Sequence, residues 1–450
     1  MGNTGDDHGR RDRQQQGGKA ARAALDITAQ NIANAGTEGY VRRSVRLSEL
    51  ATAGGWNRVN DLSLSGVRID GITRNADMFR QAEMRRTGSD AARAKAELAG
   101  LQNGEAALEQ SNLYPALTAF EGSLQQLATD PVDPSLRAAV LEDARSLTRT
   151  FNLAAQGLDQ AGQGLRFEAD DGVDQVNRGA SELARINLQL TRAQPGTSDQ
   201  ATLLDRRDTL LQAISTQADV TTRFAADQTV EVRVGGSGGG LLVSGGTASP
   251  LVMNTAADGT VSFTLGGAPV TQAAGSLAGK AQALTAIRDN RTTLDGIANA
   301  LASTANAAQA NGVALDGTPG QPLFFGSGAN GIVLALSSGA QLATAPSGAA
   351  AGSRNPANLD ALRNALSAND IAGQANSLLF TAASAVAGRK TTSDALDTIA
   401  SSARIALDGQ AGVDLDQEAA NLVRYQQAFQ ANGKAIQVAS TLFDTLLSLK

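Results

Sequence analysis

The chain has 450 residues, of which 42% are hydrophobic and 18% charged, enough apolar material for two to four domains. A formal net charge of −6 and only 3% aromatic residues supply neither the electrostatic attraction nor the stacking surface that nucleic-acid binding requires. There is no Cys and a single His, His8, so disulfides, thiol chemistry, Ser-His-Asp hydrolysis and His-rich metal sites are excluded; no catalytic residue, metal or cofactor is expected.

No run of about 18 apolar residues occurs, and residues 1 to 20 lack the apolar stretch of a secretory signal. Membrane insertion is therefore not expected. The chain is read either as cytoplasmic or as exported without a cleaved signal peptide.

Residues 1–18, "MGNTGDDHGRRDRQQQGG", are strongly charged without a periodic apolar face and read as disordered. From Lys19 to Asn34 the pattern is helical, with Ala21, Leu25, Thr28 or Ala29, and Ile32 on one face and Leu25 and Ile32 seven residues apart. Gly36 is expected to stop this helix in a left-handed conformation. Val41, Val45 and Leu47 then alternate with Arg42, Ser44 and Arg46, the period of a strand. Asn31, Asn34, Gly36, Gly39 and Tyr40 thus mark a turn out of the first helix.

A long helical block begins near Asp77. Leu117, Phe120, Leu124 and Leu127 share a face, Pro131 and Pro134 break the run, and Leu136, Val140, Leu147, Phe151 and Leu158 restart it with steps of 4, 7, 4 and 7. The stripe continues through Val173, Val176, Ala180, Leu183 and Leu190, and a shorter helix carries Leu203, Arg207, Leu210 and Ile214. Over 220–275 the period becomes two, with Val230, Val232 and Val234 on one side of "TVEVRV", then "LLVSGG" and "TVSFTL"; this reads as a small antiparallel β domain. Helical spacing returns with Leu284, Ile287, Leu294, Ala298, Leu301 and Ala305. Residues 311–355 read as loop with two strands, and helices resume near Pro356.

The last helix opens at "GVDLDQE", where Asp414 suits an N-cap and Gln417 the third helical position of a capping box. Leu415, Leu422, Phe429, Ile436 and Phe443 follow at every seventh residue, accompanied by Tyr425, Ala439 and Leu446. A strict seven-residue step makes a narrow seam, and such a seam requires a partner helix. The first helix has the same step. The two ends are therefore expected to pair, with Leu25 and Ile32 facing the C-terminal seam; the alternative is that they complete a globular bundle.

The expected fold is mainly α with a small antiparallel β domain. Its parts are a disordered segment at 1–18, a coiled-coil stalk from 19–60 plus 408–450, a long-helix domain from 61–219 plus 276–407, and an outer β domain at 220–275. Three short motifs invite a chemical reading and fail it. Asp414, Asp416 and Glu418 lack the later Gly and Glu of a calcium loop. Asp170 and Asp171 point in different directions on a helix, so they make no glycosidase pair. "GGSGGG" precedes a strand and has no following Lys-Ser/Thr, so it is a hairpin connection and not a phosphate loop.

"NIANAGTEGYVRR" at 31–43 and "VDLDQEAANLVRYQQAFQANGKAIQVASTLFDTLLSLK" at the far end resemble the two ends of bacterial flagellar axial proteins, the family of rod, hook and hook-associated subunits. The long central helices, with "LLDRRDTLLQAISTQADV" and "AIRDNRTTLDGIANALASTANAAQANGVALDG", are similar to the hook-associated members. The first eighteen residues depart from the family pattern. The resemblance implies a non-enzymatic structural subunit of the extracellular flagellum, an adapter at the hook–filament junction. The partners it implies are further copies in a ring, the hook protein, the next hook-associated protein, and an export chaperone on the C-terminal helix. Alternatives are a rod or hook subunit, or a surface binding module that uses the β domain.

Overall fold

The computed structural model describes residues 5–52 and 63–448. In chain order the elements are α1 (Gly5–Ala33), β1 (Arg43–Thr52), β2 (Ser63–Arg74), α2 (Met78–Gln110), α3 (Leu113–Leu127), α4 (Pro134–Leu190) and α5 (Ser198–Gln217). Seven strands follow: β3 (Val220–Phe224), β4 (Val230–Val234), β5 (Gly240–Ser244), β6 (Thr247–Ala248), β7 (Leu251–Thr255), β8 (Val261–Leu265) and β9 (Ala268–Val270). Then come α6 (Gly275–Ala310), β10 (Gly312–Val313), β11 (Phe324–Phe325), the single turn α7 (Gly328–Gly331), β12 (Val333–Leu334) and β13 (Ala345–Pro346). The chain ends with α8 (Ala357–Ala368), α9 (Ile371–Ala411) and α10 (Leu415–Ser448). It is mainly helical with small antiparallel sheets, as its periodicities predict.

The helical body is organised around α4, whose 57 residues extend about 85 Å. Asp133 caps it by accepting from the amides of Ser135 and Leu136, and Pro134 enters where no backbone donor is needed. Val140, Leu147, Phe151 and Leu158 are fully buried against α3 and α6, in one core with Phe120 and Leu301. Arg137 is buried in the same region and donates to the carbonyls of Pro131, Gly339 and Leu342, tying the 311–355 segment to α4. That segment holds four two-residue strands, paired β10 with β13 and β11 with β12, where two strands were expected.

The β region does not have a core of its own. Val230, Val232 and Val234 alternate inward as the sequence predicts, yet they bury against Val176, Ala180 and Leu183 of α4 and Ile214 of α5. It is a cover on the helices. It is also an internal repeat: "AADQTVEVRV" at 225–234 and "AADGTVSFTL" at 256–265 form equivalent hairpins, β3–β4 and β7–β8. In each turn an Asp side chain accepts from the Thr two residues on, and an arginine of the helical body donates to a turn carbonyl. Arg207 reaches Gln228 at 2.7 Å and Arg166 reaches Gly259 at 3.2 Å.

Several expected boundaries are corrected. α1 begins at Gly5, so residues 5–18, expected to be disordered, continue the helix that carries Leu25. The boundary at 60/61 falls inside one ribbon, because Arg43–Thr52 pairs antiparallel with Ser63–Arg74. The boundary at 407/408 falls inside α9, which runs unbroken to Ala411.

Candidate functional site

The two ends of the chain meet. α1 packs on α10, and the pair is antiparallel: Gly17 lies against Asn432, while Arg42, beyond the other end of α1, donates to Glu418 at 2.6 Å. Asp414 caps α10 by accepting from the amides of Asp416 and Gln417, which places its carboxylate on helix donors.

The face that α1 buries consists of Ala20, Ala21, Ala24, Ile27, Thr28 and Asn31; Leu25 and Ile32 are only half-buried. On α10 the sheltered positions are Glu418, Asn421, Leu422, Tyr425, Ala428 and Asn432. Leu415, Phe429 and Ile436 are 53%, 44% and 37% exposed. The expected seam is thus divided. Small residues on α1 let the helices approach along a line that takes in Leu422 and Tyr425, and the remaining seven-residue positions turn outward. The side chains of Phe443 and Leu446 lie outside the described residues.

The turn motif closes the inner end of this pair. Asn31 accepts at Oδ1 from the Tyr40 hydroxyl (2.9 Å) and the Arg43 amide (3.0 Å), and donates to the Arg43 carbonyl (2.9 Å). One buried amide therefore clamps the end of α1 to the start of β1. Burial pushes the Tyr40 phenol above its usual range, keeping it a neutral donor. Asn34 donates to the Gln30 carbonyl. The left-handed residue is Gly39, at φ +77°, and not Gly36. A Cβ on Gly39 would run into the Thr209 hydroxyl, so the conformation and the close approach both demand glycine there.

Beside the turn, four chain segments converge on a buried ionic cluster that periodicity did not reveal. Arg43 and Arg74 both bind Asp205, Arg74 and Arg207 both bind Asp208, and Gln81 donates to Asp208 at 3.0 Å. Burial raises the Asp205 carboxyl above its ordinary value in spite of its arginines. For Asp208 burial pushes up too, but Arg207 and Arg74 outweigh it and hold the carboxyl below the ordinary range. The one sequence signal was Arg207 standing in the apolar stripe of α5. The cluster locks the ribbon to the helical body, while Arg42 donates its amide to the Ala411 carbonyl and fixes the loop into α10.

Val41 is buried, Val45 half-buried and Leu47 46% exposed, because a register shift after Arg46 reverses the alternation. Among the described residues no group of three carboxylate or imidazole side chains could hold a metal, and no helix is long and apolar enough to cross a membrane. The geometry is that of a joint between a paired-helix arm and the helical body.

Comparison with known proteins matches this anatomy. Residues 100–324, half of the chain, match the flagellar hook-associated protein FlgK helical domain. Residues 14–40 match the flagella basal body rod protein family, and 409–449 the C-terminal family of the flagellar basal body rod FlgEFG proteins, so both arm helices match axial-protein families. Flagellar hook-associated protein 1 of Bacillus subtilis is 24% identical over 95% of this chain and 96% of its own. That of Salmonella typhimurium is 28% identical over 68% of this chain, which spans only 57% of that relative. The solved flagellar hook junction protein FlgK from Burkholderia pseudomallei superposes with a TM-score of 0.45 at 24% identity, over 54% of this chain and 47% of that one. The chain belongs to the family of the flagellar hook-associated protein FlgK, structural and non-enzymatic axial components of the bacterial flagellum at the hook–filament junction.

Proposed function

We propose that the chain works as an adapter by packing its outward-turned apolar positions on α10 against neighbouring copies and against the axial proteins on either side. The observation that carries this reading is the line of Leu415, Phe429 and Ile436, exposed beside an already formed helix pair. Large apolar side chains exposed along one helix suit an interaction surface, and burying each of them contributes roughly 1 kcal/mol or more. Leu25 and Ile32 of α1 are half-buried and keep apolar surface for the same kind of contact. Copies related by rotation about one axis would close into a ring, with the hook protein on one side and the next hook-associated protein on the other. In the sequence, Phe443 continues the step of Leu415 to Ile436, and Leu446 that of Tyr425.

An export chaperone covering this stripe before assembly fits the same chemistry. Deleting the gene is expected to leave hooks without filaments and to release flagellin into the medium. Phe429→Asp is expected to abolish complementation while the purified variant keeps the wild-type melting temperature. Normal filament assembly by that variant would sink the proposal.

A further inference from the structure

α9 is fastened to the body at its two ends and weakly between them. Its first turns belong to the main core, where Ile371, Ala375, Leu378 and Ala382 are buried. At its far end Leu407 and Ala411 pack with Val41 in a small separate cluster, and Gln410 accepts from Asn75 and Arg80. Residues 383–406 lie between these fastenings, about 36 Å of helix. In that stretch Ser393 alone is buried, Val386 and Leu396 are half-buried, and Ile399 and Ile405 are 50% and 72% exposed.

The helix it lies on supplies little more. α2 runs antiparallel to α9 and buries no apolar side chain larger than alanine between Gln81 and Gly104. Among the described residues one ion pair joins 383–406 to another element: Arg389 reaches Glu97 of α2 at 2.7 Å. Glu97 is 6% exposed and is also met by Arg93 at 3.4 Å. Against α6, by contrast, α2 is held tightly. A Cβ on Gly279 would run into the Arg93 carbonyl, so the two helices touch backbone to backbone beside the same carboxylate.

Segments of a folded chain open locally where they hold few buried apolar contacts, and a helical stretch of this length that leaves its neighbour is marginal in water. We infer that residues 383–406 form a strap that opens in the folded chain while both its ends stay fastened, with the Glu97–Arg389 pair as its catch. Opening bares the α2 face beneath and leaves the core and the joint in place. The inference concerns the free chain and does not depend on how α10 packs.

Hydrogen exchange of the full chain, read peptide by peptide at neutral pH, tests this. Amides of 383–406 are expected to exchange at least about a hundredfold faster than those of α4 between Leu147 and Leu158. Arg389→Gln removes the catch at a side chain that is 36% exposed, so the core loses nothing by it. Exchange over 383–406 should rise by about a further tenfold, the loss of one charge-assisted contact, with 371–382 and α4 unchanged. Arg389→Lys should restore part of the protection. Protection of 383–406 equal to that of α4 would overturn the strap; no rise in Arg389→Gln, or a rise spread equally through α4, would overturn the catch.

Discussion

Two helices of this molecule carry the same kind of apolar spacing and meet opposite fates. In α4, Val140, Leu147, Phe151 and Leu158 step by 7, 4 and 7 and are fully buried by α3 and α6. In α10, Leu415, Leu422, Phe429 and Ile436 step by 7, and three of the four are more than a third exposed. A seven-residue period states that a helix requires a partner; it does not state that the partner lies in the same chain. The body finds its partners within the fold, and the arm finds only half of them there.

The comparison breaks if truncation costs the same in both places. Phe151→Ala leaves a cavity in a close-packed core and should lower unfolding free energy by about 3–5 kcal/mol, whereas Phe429→Ala should change it by about 0.5 kcal/mol or less. Chemical denaturation of the two variants measures both, and a large loss for Phe429→Ala would mean that α10 is already fully packed in the free chain. Between these extremes stands the joint. Asp208→Asn removes the carboxylate that serves Arg74 and Arg207 and should cost about 3 kcal/mol near neutral pH.

That cost should depend on pH in a definite direction. The folded Asp208 carboxyl sits below its ordinary value of 3.8, so its contribution is present above that value and is lost as pH falls through the folded value. The gap between wild type and Asp208→Asn should therefore narrow on acidification below 3.8. Asp205 acts with the opposite sign: its folded value is raised, so the chain gains stability as pH falls from that value towards 3.8. Denaturation of wild type, Asp205→Asn and Asp208→Asn across acidic pH separates the two, and a constant gap for Asp208→Asn would sink the assignment.

What the sequence reveals follows the same division. The stripe of α4, the break at Pro131 and Pro134, the alternation of Val230 to Val234 and the Asp414 cap are local patterns, and each is found where periodicity puts it. The ionic joint is not local. Arg43 and Asp205 are 162 residues apart and Arg74 and Asp208 are 134 apart, so no window contains both partners. Gly36 was indistinguishable from Gly39 in sequence, because the choice between them depends on Thr209, which arrives from α5. The β region read as an outer domain because its inward face looks like any strand's; only the contacts with Val176 and Leu183 show that α4 supplies its other layer. An isolated 220–275 fragment should for that reason not fold.

The smallest expected effect comes from the repeat itself, where one hairpin serves as a control for the other. At the left-handed position of the second turn stands Gly259, φ +82°, and at the equivalent position of the first stands Gln228, φ +68°. A side chain with a Cβ pays roughly 1 kcal/mol for that region, and glycine pays no steric cost. Arg207 binds the backbone carbonyl of Gln228, so replacing the side chain leaves that hydrogen bond in place. Gln228→Gly should therefore stabilise the chain by about 0.5–1 kcal/mol, offset in part by the greater freedom of glycine in the unfolded state. The reverse exchange, Gly259→Gln, should cost more, because its Cβ would also come within 2.8 Å of the Arg166 guanidinium that binds this turn. If both substitutions destabilise, the Gln228 side chain contributes contacts that outweigh its backbone strain, and the two hairpins are equivalent in shape but not in energy.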